Sequence, residues 1–244
     1  MLFRSRLSPQ LQTPARPEEP QTLQRPLLYL ITRGQTTART TPATEDFASV
    51  LRIVQAAAAA GIDLVQIREK NLSAGVLFQL SAKAVAMTRG SATRLLINDR
   101  ADIAAAAGAD GVHLTTSSLP TDVVRHTFGA EFLIGVSTHS AAEGDCARDS
   151  GADFVVFGPI FETLSKSGYG EPLGPATLEK TCAELSPFPV LALGGLTISN
   201  VAACIKAGAQ GIAAIRMLSD PNRLEKVVSE VREEFEKVHD RAGA

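Results

Sequence analysis

Short, predominantly apolar runs recur along the chain, separated by longer stretches in which apolar residues return every three or four positions. The runs fall at 27–32, 64–68, 95–98, 112–114, 133–137, 154–157, 190–193 and 212–215. Continuous rather than alternating apolarity is what a parallel strand covered on both faces shows. Between the runs the spacing predicts helices, among them 45–60, 73–89, 141–150, 175–185, 198–207 and 222–238. Strands alternating with helices predict a parallel sheet, and eight such units predict an α/β fold closed into a (β/α)8 TIM barrel. An open, doubly wound sheet is the competing architecture, but no Gly-x-Gly-x-x-Gly follows the first run.

One joint is written four times. Ala60-Gly61-Ile62-Asp63, Ala107-Gly108-Ala109-Asp110-Gly111, Ser150-Gly151-Ala152-Asp153 and Ala207-Gly208-Ala209-Gln210-Gly211 each lead from a helical stretch into an apolar run. A glycine at that place predicts a helix end in the left-handed region, so each is a helix-to-strand joint.

Composition narrows the class without changing this picture. The 244 residues suffice for one such barrel, which typically needs about 250. An apolar fraction of 45% fits a packed globular domain, and a net charge of −2 gives no reason to coat nucleic acid or an anionic membrane. The alanine-rich run at 55–61 is too short to span a bilayer. Cys146, Cys182 and Cys204 lie far apart with no Cys-x-x-Cys or Cys/His spacing, as reduced thiols do. Residues 1–26 carry five prolines, several glutamines and four arginines, so a flexible tail is expected there, ahead of a barrel domain over 27–244. A targeting peptide is the alternative for that tail; Glu18 and Glu19 speak against it.

Barrels of this kind carry their chemistry at the C-terminal ends of the strands. The polar residues at the ends of the apolar runs are Gln66, Arg68 and Lys70; Asn98 and Asp99; His113 and then 115–118; Ser137 and His139; Thr163, Ser165 and Lys166; Gly194 and Gly195; and Arg216. The chain is slightly acidic, yet Arg68, Lys70, Lys166 and Arg216 make this rim cationic, with hydroxyls and glycine amides around them. That combination holds phosphate or diphosphate. The Gly194-Gly195 pair after the seventh run, followed by Thr197, matches the usual barrel phosphate site. Each piece also has a plainer reading: Arg68 and Lys70 in a solvated pair with Glu69, Asp99 as a helix cap, His113 and His139 as packed histidines, the glycine pair as a tight turn.

In order, Gln66-Ile67-Arg68-Glu69-Lys70, Ile97-Asn98-Asp99-Arg100, Gly111-Val112-His113-Leu114, Gly135-Val136-Ser137, Phe157-Gly158-Pro159-Ile160-Phe161 and Gly194-Gly195-Leu196 resemble the thiamine phosphate synthase and TenI superfamily, over about 27–220. The resemblance implies a transferase that joins hydroxymethylpyrimidine diphosphate to thiazole phosphate, giving thiamine phosphate and pyrophosphate. It implies that Gln66, Arg68 and Lys70 hold the pyrimidine and its diphosphate, with Asn98 beside the ring. Ser137 would touch the departing pyrophosphate, and Thr163, Ser165 and Lys166 would bind phosphate groups. Lys166, Ser137 and Arg68 are the expected catalytic set, with His139, Gly194, Gly195 and Arg216 completing the substrate site. Asp99 would hold Mg2+, the expected cofactor.

Two positions depart from the pattern. Ser118 stands where the synthases carry a second metal-binding aspartate, and a hydroxyl is a weaker partner for Mg2+ than a carboxylate. Arg216 stands where a phosphate-touching serine is usual. Ser118 keeps open a thiazole tautomerase of the TenI type with His139 as acid–base group, or a non-catalytic relative; Asp99, Pro159 and Lys166 point to the synthase. The expected partners are small phosphorylated pyrimidine and thiazole molecules, without nucleic acid or membrane, in a cytoplasmic protein whose association into a homo-oligomer the sequence leaves open.

Overall fold

A computed structural model gives the structure of the chain; residues 26–163 and 171–242 are described, with side chains to residue 238. The 1–26 tail therefore lies outside the described residues except for Pro26.

Eight parallel strands close into a barrel in chain order. They are β1 Leu27–Ile31, β2 Leu64–Ile67, β3 Arg94–Asn98, β4 Gly111–Leu114, β5 Leu133–Thr138, β6 Phe154–Phe157, β7 Val190–Leu193 and β8 Gly211–Ala214. The ring closes where β1 pairs with β8, Leu28 opposite Ile212 and Leu30 opposite Ala214. Helices follow each strand: α1 Glu45–Ala59, α2 Ala74–Thr88, α3 Ala101–Ala107, α4 Thr121–Phe128, α5 Ala141–Asp149, α6 Gly174–Leu185, α7 Ile198–Lys206 and α8 Leu224–Ala242. The helices α3 and α4 come in addition to those the spacing predicts. They have only 7 and 8 residues, too few turns to show a periodicity.

Alternate residues of each strand face opposite ways. Leu28, Leu30, Val65, Ile67, Leu95, Ile97, Val112 and Ile134 join the helices in the outer core. Leu27, Tyr29, Ile31, Leu64, Leu96, Phe154, Val156, Leu191 and Ala213 fill the barrel interior. Both faces are thus buried, which is why the runs are continuous in the sequence.

The repeated joint has a repeated structural purpose. Its glycines all take positive φ: Gly61 72°, Gly108 73°, Gly151 91° and Gly208 89°. Three of the four joints then carry an aspartate that reaches sideways to the neighbouring strand. Asp63 accepts from the Leu28 N–H, Asp110 from Leu95 and Asp153 from Ile134, each at 2.7 Å. The same carboxylates take an arginine each: Arg232 for Asp63, Arg94 for Asp110 and Arg125 for Asp153. These clasps sit at the N-terminal ends of the strands, the end that serves stability in a barrel. The fourth joint has Gln210 in place of the aspartate.

Candidate active site

Strand parity decides which polar side chains enter the barrel. Leu64, Leu96 and Leu133 point inward, so Gln66, Asn98 and Ser137, two or four residues on, belong to the same inner face nearer the C-terminal mouth. His113 pairs in register with Asn98 on one side and Gly135 on the other, and shares that face. Polar side chains thus replace leucine in the upper interior of β2 to β5. Gln66 is 1% exposed, and neither its Nε2 nor Asn98 Oδ1 has a hydrogen-bond partner among the described residues. A buried donor and a buried acceptor left open at the mouth are costly unless a ligand fills them.

Below the mouth, Tyr29 and His113 meet Ser137. The Tyr29 hydroxyl lies 3.2 Å from His113 Nδ1, and His113 Nε2 lies 2.9 Å from Ser137 Oγ. Burial, with the Arg68 charge adding to it, holds the His113 imidazole down to about 3, so the ring is neutral around pH 7. Burial likewise pushes the Tyr29 phenol well above its ordinary range.

The β2 end is built around Glu69. Its carboxylate is 3% exposed and accepts four hydrogen bonds, from Thr32 Oγ1 (2.7 Å), Gly34 N (3.2 Å), Thr36 N (3.1 Å) and Thr36 Oγ1 (2.7 Å). Glu69 thus ties the β1–α1 loop to the mouth instead of pairing with Arg68 or Lys70. Thr32 Oγ1 also accepts from the Arg68 N–H at 2.8 Å, so the same knot fixes the Arg68 backbone. Arg68 is half-buried and its guanidinium lies beside Gly34; Lys70 is exposed. Neither has a carboxylate partner among the described residues.

Across the mouth, a cavity of about 610 Å³ opens over β7 and β8. Thr163, Gly194, Gly195, Thr197, Arg216 and Arg223 line it, together with Glu162 and Asp220. Gly194 (φ 105°) and Gly195 (φ 63°) form the turn. A Cβ on Gly194 would sit 2.6 Å from Pro159 Cα, and one on Gly195 2.4 Å from the Glu162 carbonyl oxygen. The pair is therefore needed both for backbone sign and for the passage of the β6 loop. Asn200 Oδ1 caps the start of α7 by accepting from the Thr197 N–H at 2.8 Å, and Thr197 and Ile198 border the same cavity. Arg216 and Arg223 are exposed and lack carboxylate partners among the described residues, so their charge is available to an anion.

Arg223 is not among the residues the sequence singles out. It precedes α8 rather than following a strand, and only the return of that helix over β8 brings it in. Ser165 and Lys166 lie outside the described residues.

Asp99 and Ser118 line a second cavity of about 570 Å³ beside the starts of α3 and α4. Asp99 is the one non-glycine residue with positive φ (64°) among those described, and its N–H donates to the His113 carbonyl. Ser118 Oγ accepts from the Thr115 N–H at 2.8 Å and lies 3.2 Å from Thr115 Oγ1, closing its own loop. His139 sits half-buried at the end of β5. Its Nδ1 bonds the Gly158 carbonyl, and its N–H donates to Glu143 at 2.6 Å.

A barrel whose mouth carries an open donor–acceptor pair on one side and arginines around a glycine turn on the other defines an enzyme for phosphorylated small molecules. The sequence model of the family described as thiamine monophosphate synthase matches residues 28–218, and the chain belongs to that family. It is 43% identical over 201 residues to a Geobacter sulfurreducens protein provisionally named a thiamine-phosphate synthase, covering 82% of this chain and 90% of that one. It is 38% identical over 176 residues to the thiamine-phosphate synthase of Chlorobium limicola, covering 72% and 83%. Among solved structures, the thiamine phosphate pyrophosphorylase of Pyrococcus furiosus superposes with a TM-score of 0.71 at 27% identity, over 87% of this chain and 96% of that one. These relatives carry the synthase name rather than the tautomerase one.

Proposed function

We infer that the chain is a thiamine phosphate synthase, a transferase that joins hydroxymethylpyrimidine diphosphate to thiazole phosphate. The observation that carries the reading is the unfilled pair at the mouth. Gln66 Nε2 and Asn98 Oδ1 offer one donor and one acceptor from adjacent strands. An aminopyrimidine edge is complementary: its ring nitrogen accepts from Gln66, and its amino group donates to Asn98.

With the ring seated there, the methylene-bound diphosphate extends toward Arg68, Lys70 and Ser137. The methylene C–O bond breaks with its electron pair leaving on the diphosphate oxygen. Guanidinium, ammonium and the Ser137 hydroxyl meet the charge that develops there. The thiazole nitrogen then forms the new C–N bond with its lone pair. The thiazole phosphate is held by the Gly194-Gly195 amides, the α7 start, Arg216 and Arg223. Ser165 and Lys166 are assigned to the diphosphate, and Thr163 to the thiazole phosphate. His139 is assigned to the thiazole side through its bond to the Gly158 carbonyl, next to Pro159 of the cavity wall.

Asp99 and Ser118 are oxygen donors that fit Mg2+. Among the described residues no group of three or more His, Cys, Asp or Glu gathers into a protein-made cage, but Mg2+ is commonly held by one or two carboxylates plus substrate phosphates and water. Asp99 would supply that carboxylate, with Ser118 a weaker second oxygen. When bound, the ion would offset charge on the diphosphate.

No helix among the described residues is long and apolar enough to cross a membrane. The enzyme is assigned to the cytoplasm, where its three unpaired cysteines stay reduced. Purified protein with Mg2+ and both phosphorylated precursors should yield thiamine phosphate and pyrophosphate in equal amounts, and the yield should drop with EDTA. No product at saturating precursors would remove the reading.

A further inference from the structure

We propose that His113 is a positioning residue, which with Tyr29 below it turns the Ser137 hydroxyl so that its hydrogen points out of the barrel toward the leaving diphosphate. The proposal deepens the synthase reading and rests on it for the identity of the anion.

Hydrogen-bond counting decides the direction. Tyr29 is fully buried, and its hydroxyl reaches a single partner among the described residues, His113 Nδ1. Its ring otherwise meets Phe154, edge-on at 82° and 5.7 Å between centroids. A neutral imidazole has one N–H and one lone pair. In one arrangement Tyr29 O–H donates to Nδ1, so the ring proton sits on Nε2 and donates to Ser137 Oγ. The serine hydrogen is then free for the mouth. In the other, Nδ1–H points at the Tyr29 oxygen, and the Tyr29 O–H has no other acceptor among the described residues. That arrangement strands a buried donor. It also turns the serine hydrogen down onto Nε2, away from any ligand.

The space for this column is specific. His113 lies opposite Gly135 in the β4–β5 register. A Cβ at Gly135 would fall 2.8 Å from His113 Nδ1 and 2.4 Å from Phe154 Cζ. Glycine there leaves the slot in which the imidazole stands between Tyr29 and Ser137. The chain thus spends a glycine, a tyrosine and a histidine on one hydroxyl.

Two readouts test the assignment. Nitrogen-15 spectra of the imidazole in the intact protein should show the proton on Nε2; a proton on Nδ1 overturns the proposal whether or not the protein makes thiamine phosphate. Single-turnover pyrophosphate release supplies the second. Removing a donor to developing negative charge costs about 10²–10³-fold in rate, so Ser137→Ala should fall in that range. His113→Asn keeps a group near Nδ1 but withdraws the donor from Ser137, and should lose at least about tenfold of the same factor. The pyrimidine diphosphate KM should stay within about twofold, as for an interaction made in the transition state. His113→Gln, whose amide reaches the Nε2 position, should recover most of the rate. In the Ser137→Ala background, His113→Asn and Tyr29→Phe should cost nothing more. Losses that multiply there, or a Tyr29→Phe variant as fast as the wild type with the Nδ1 tautomer, would show a packing role only. If the wild type makes no thiamine phosphate, the synthase reading fails, while the tautomer and inorganic pyrophosphate affinities across the same variants still decide this one.

Discussion

Replacing Glu69 by glutamine would test how the mouth is held in shape. The carboxylate accepts four hydrogen bonds, two of them at 2.7 Å, from a position 3% exposed. An amide has one acceptor oxygen and turns an NH2 group against the remaining donors. About two bonds are therefore lost, at roughly 1.5–3 kcal/mol each for a charged acceptor. Gly34 is only half-buried and can regain water as its loop lifts, which brings the net loss to about 2–4 kcal/mol. For a chain of this size 1 kcal/mol shifts Tm by about 2–4 °C, so Glu69→Gln should melt roughly 4–16 °C lower. The damage should be local first: amide exchange should speed up at Gly34 and Thr36, and pyrophosphate should bind more weakly because Arg68 N–H leans on Thr32 Oγ1. Thermal and urea unfolding with pyrophosphate titration would measure both effects. A variant melting within about 2 °C of the wild type, with Gly34 and Thr36 exchanging as before, would refute the reasoning.

Other changes separate stability from function. Gly195→Ala forces a side chain into φ 63° and a 2.4 Å approach to the Glu162 carbonyl; the left-handed strain of about 1–2 kcal/mol adds to a crowding cost of about 1–3 kcal/mol, and thiazole phosphate KM should rise. An unchanged KM would place that ligand elsewhere. Arg216→Ser should weaken thiazole phosphate binding without altering pyrophosphate binding, as calorimetry would show. Arg125→Lys sacrifices a guanidinium that serves the Gly129, Ala130, Phe132 and Gly151 carbonyls and Asp153; it should cost about 2–4 kcal/mol in urea unfolding and leave kcat at about 25 °C alone. The depressed His113 value, about 3 against an unfolded value near 6.5, means that the unfolded chain takes up a proton the folded chain refuses. Stability should fall as pH drops from about 6.5 toward 3, by up to about 1.4 kcal/mol per pH unit. His113→Gln should flatten that part of the pH–stability curve, and equal slopes would contradict the assignment.

All eight strands are legible in the sequence because burial on both faces leaves each one dominated by apolar residues, even where Gln66 and His113 interrupt β2 and β4. The short helices α3 and α4 are not, having too few turns to repeat; α4 starts after Pro120 with no side-chain cap to mark it. Gln66, Asn98 and Ser137 are legible as strand-end polar residues. The same parity holds for His113, but its partner Tyr29 lies 84 residues away in an unbroken apolar run. Glu69 is equally hidden: its four donors sit 33 to 37 residues upstream, and between two cations it reads as their counterion. The repeated aspartates are visible as a motif, while their sideways reach to the next strand needs the barrel to be closed.

The backbone at Asp99 sorts substitutions before any metal is considered. At φ 64° the chain tolerates asparagine and glycine and resists branched or bulky residues. Evolution can therefore remove the charge at this point in one step to asparagine without moving the chain, but cannot readily lengthen the carboxylate to glutamate. A descendant with no use for this carboxylate would be expected to carry Asp99→Asn, two asparagines in a row at the end of β3, with its barrel intact.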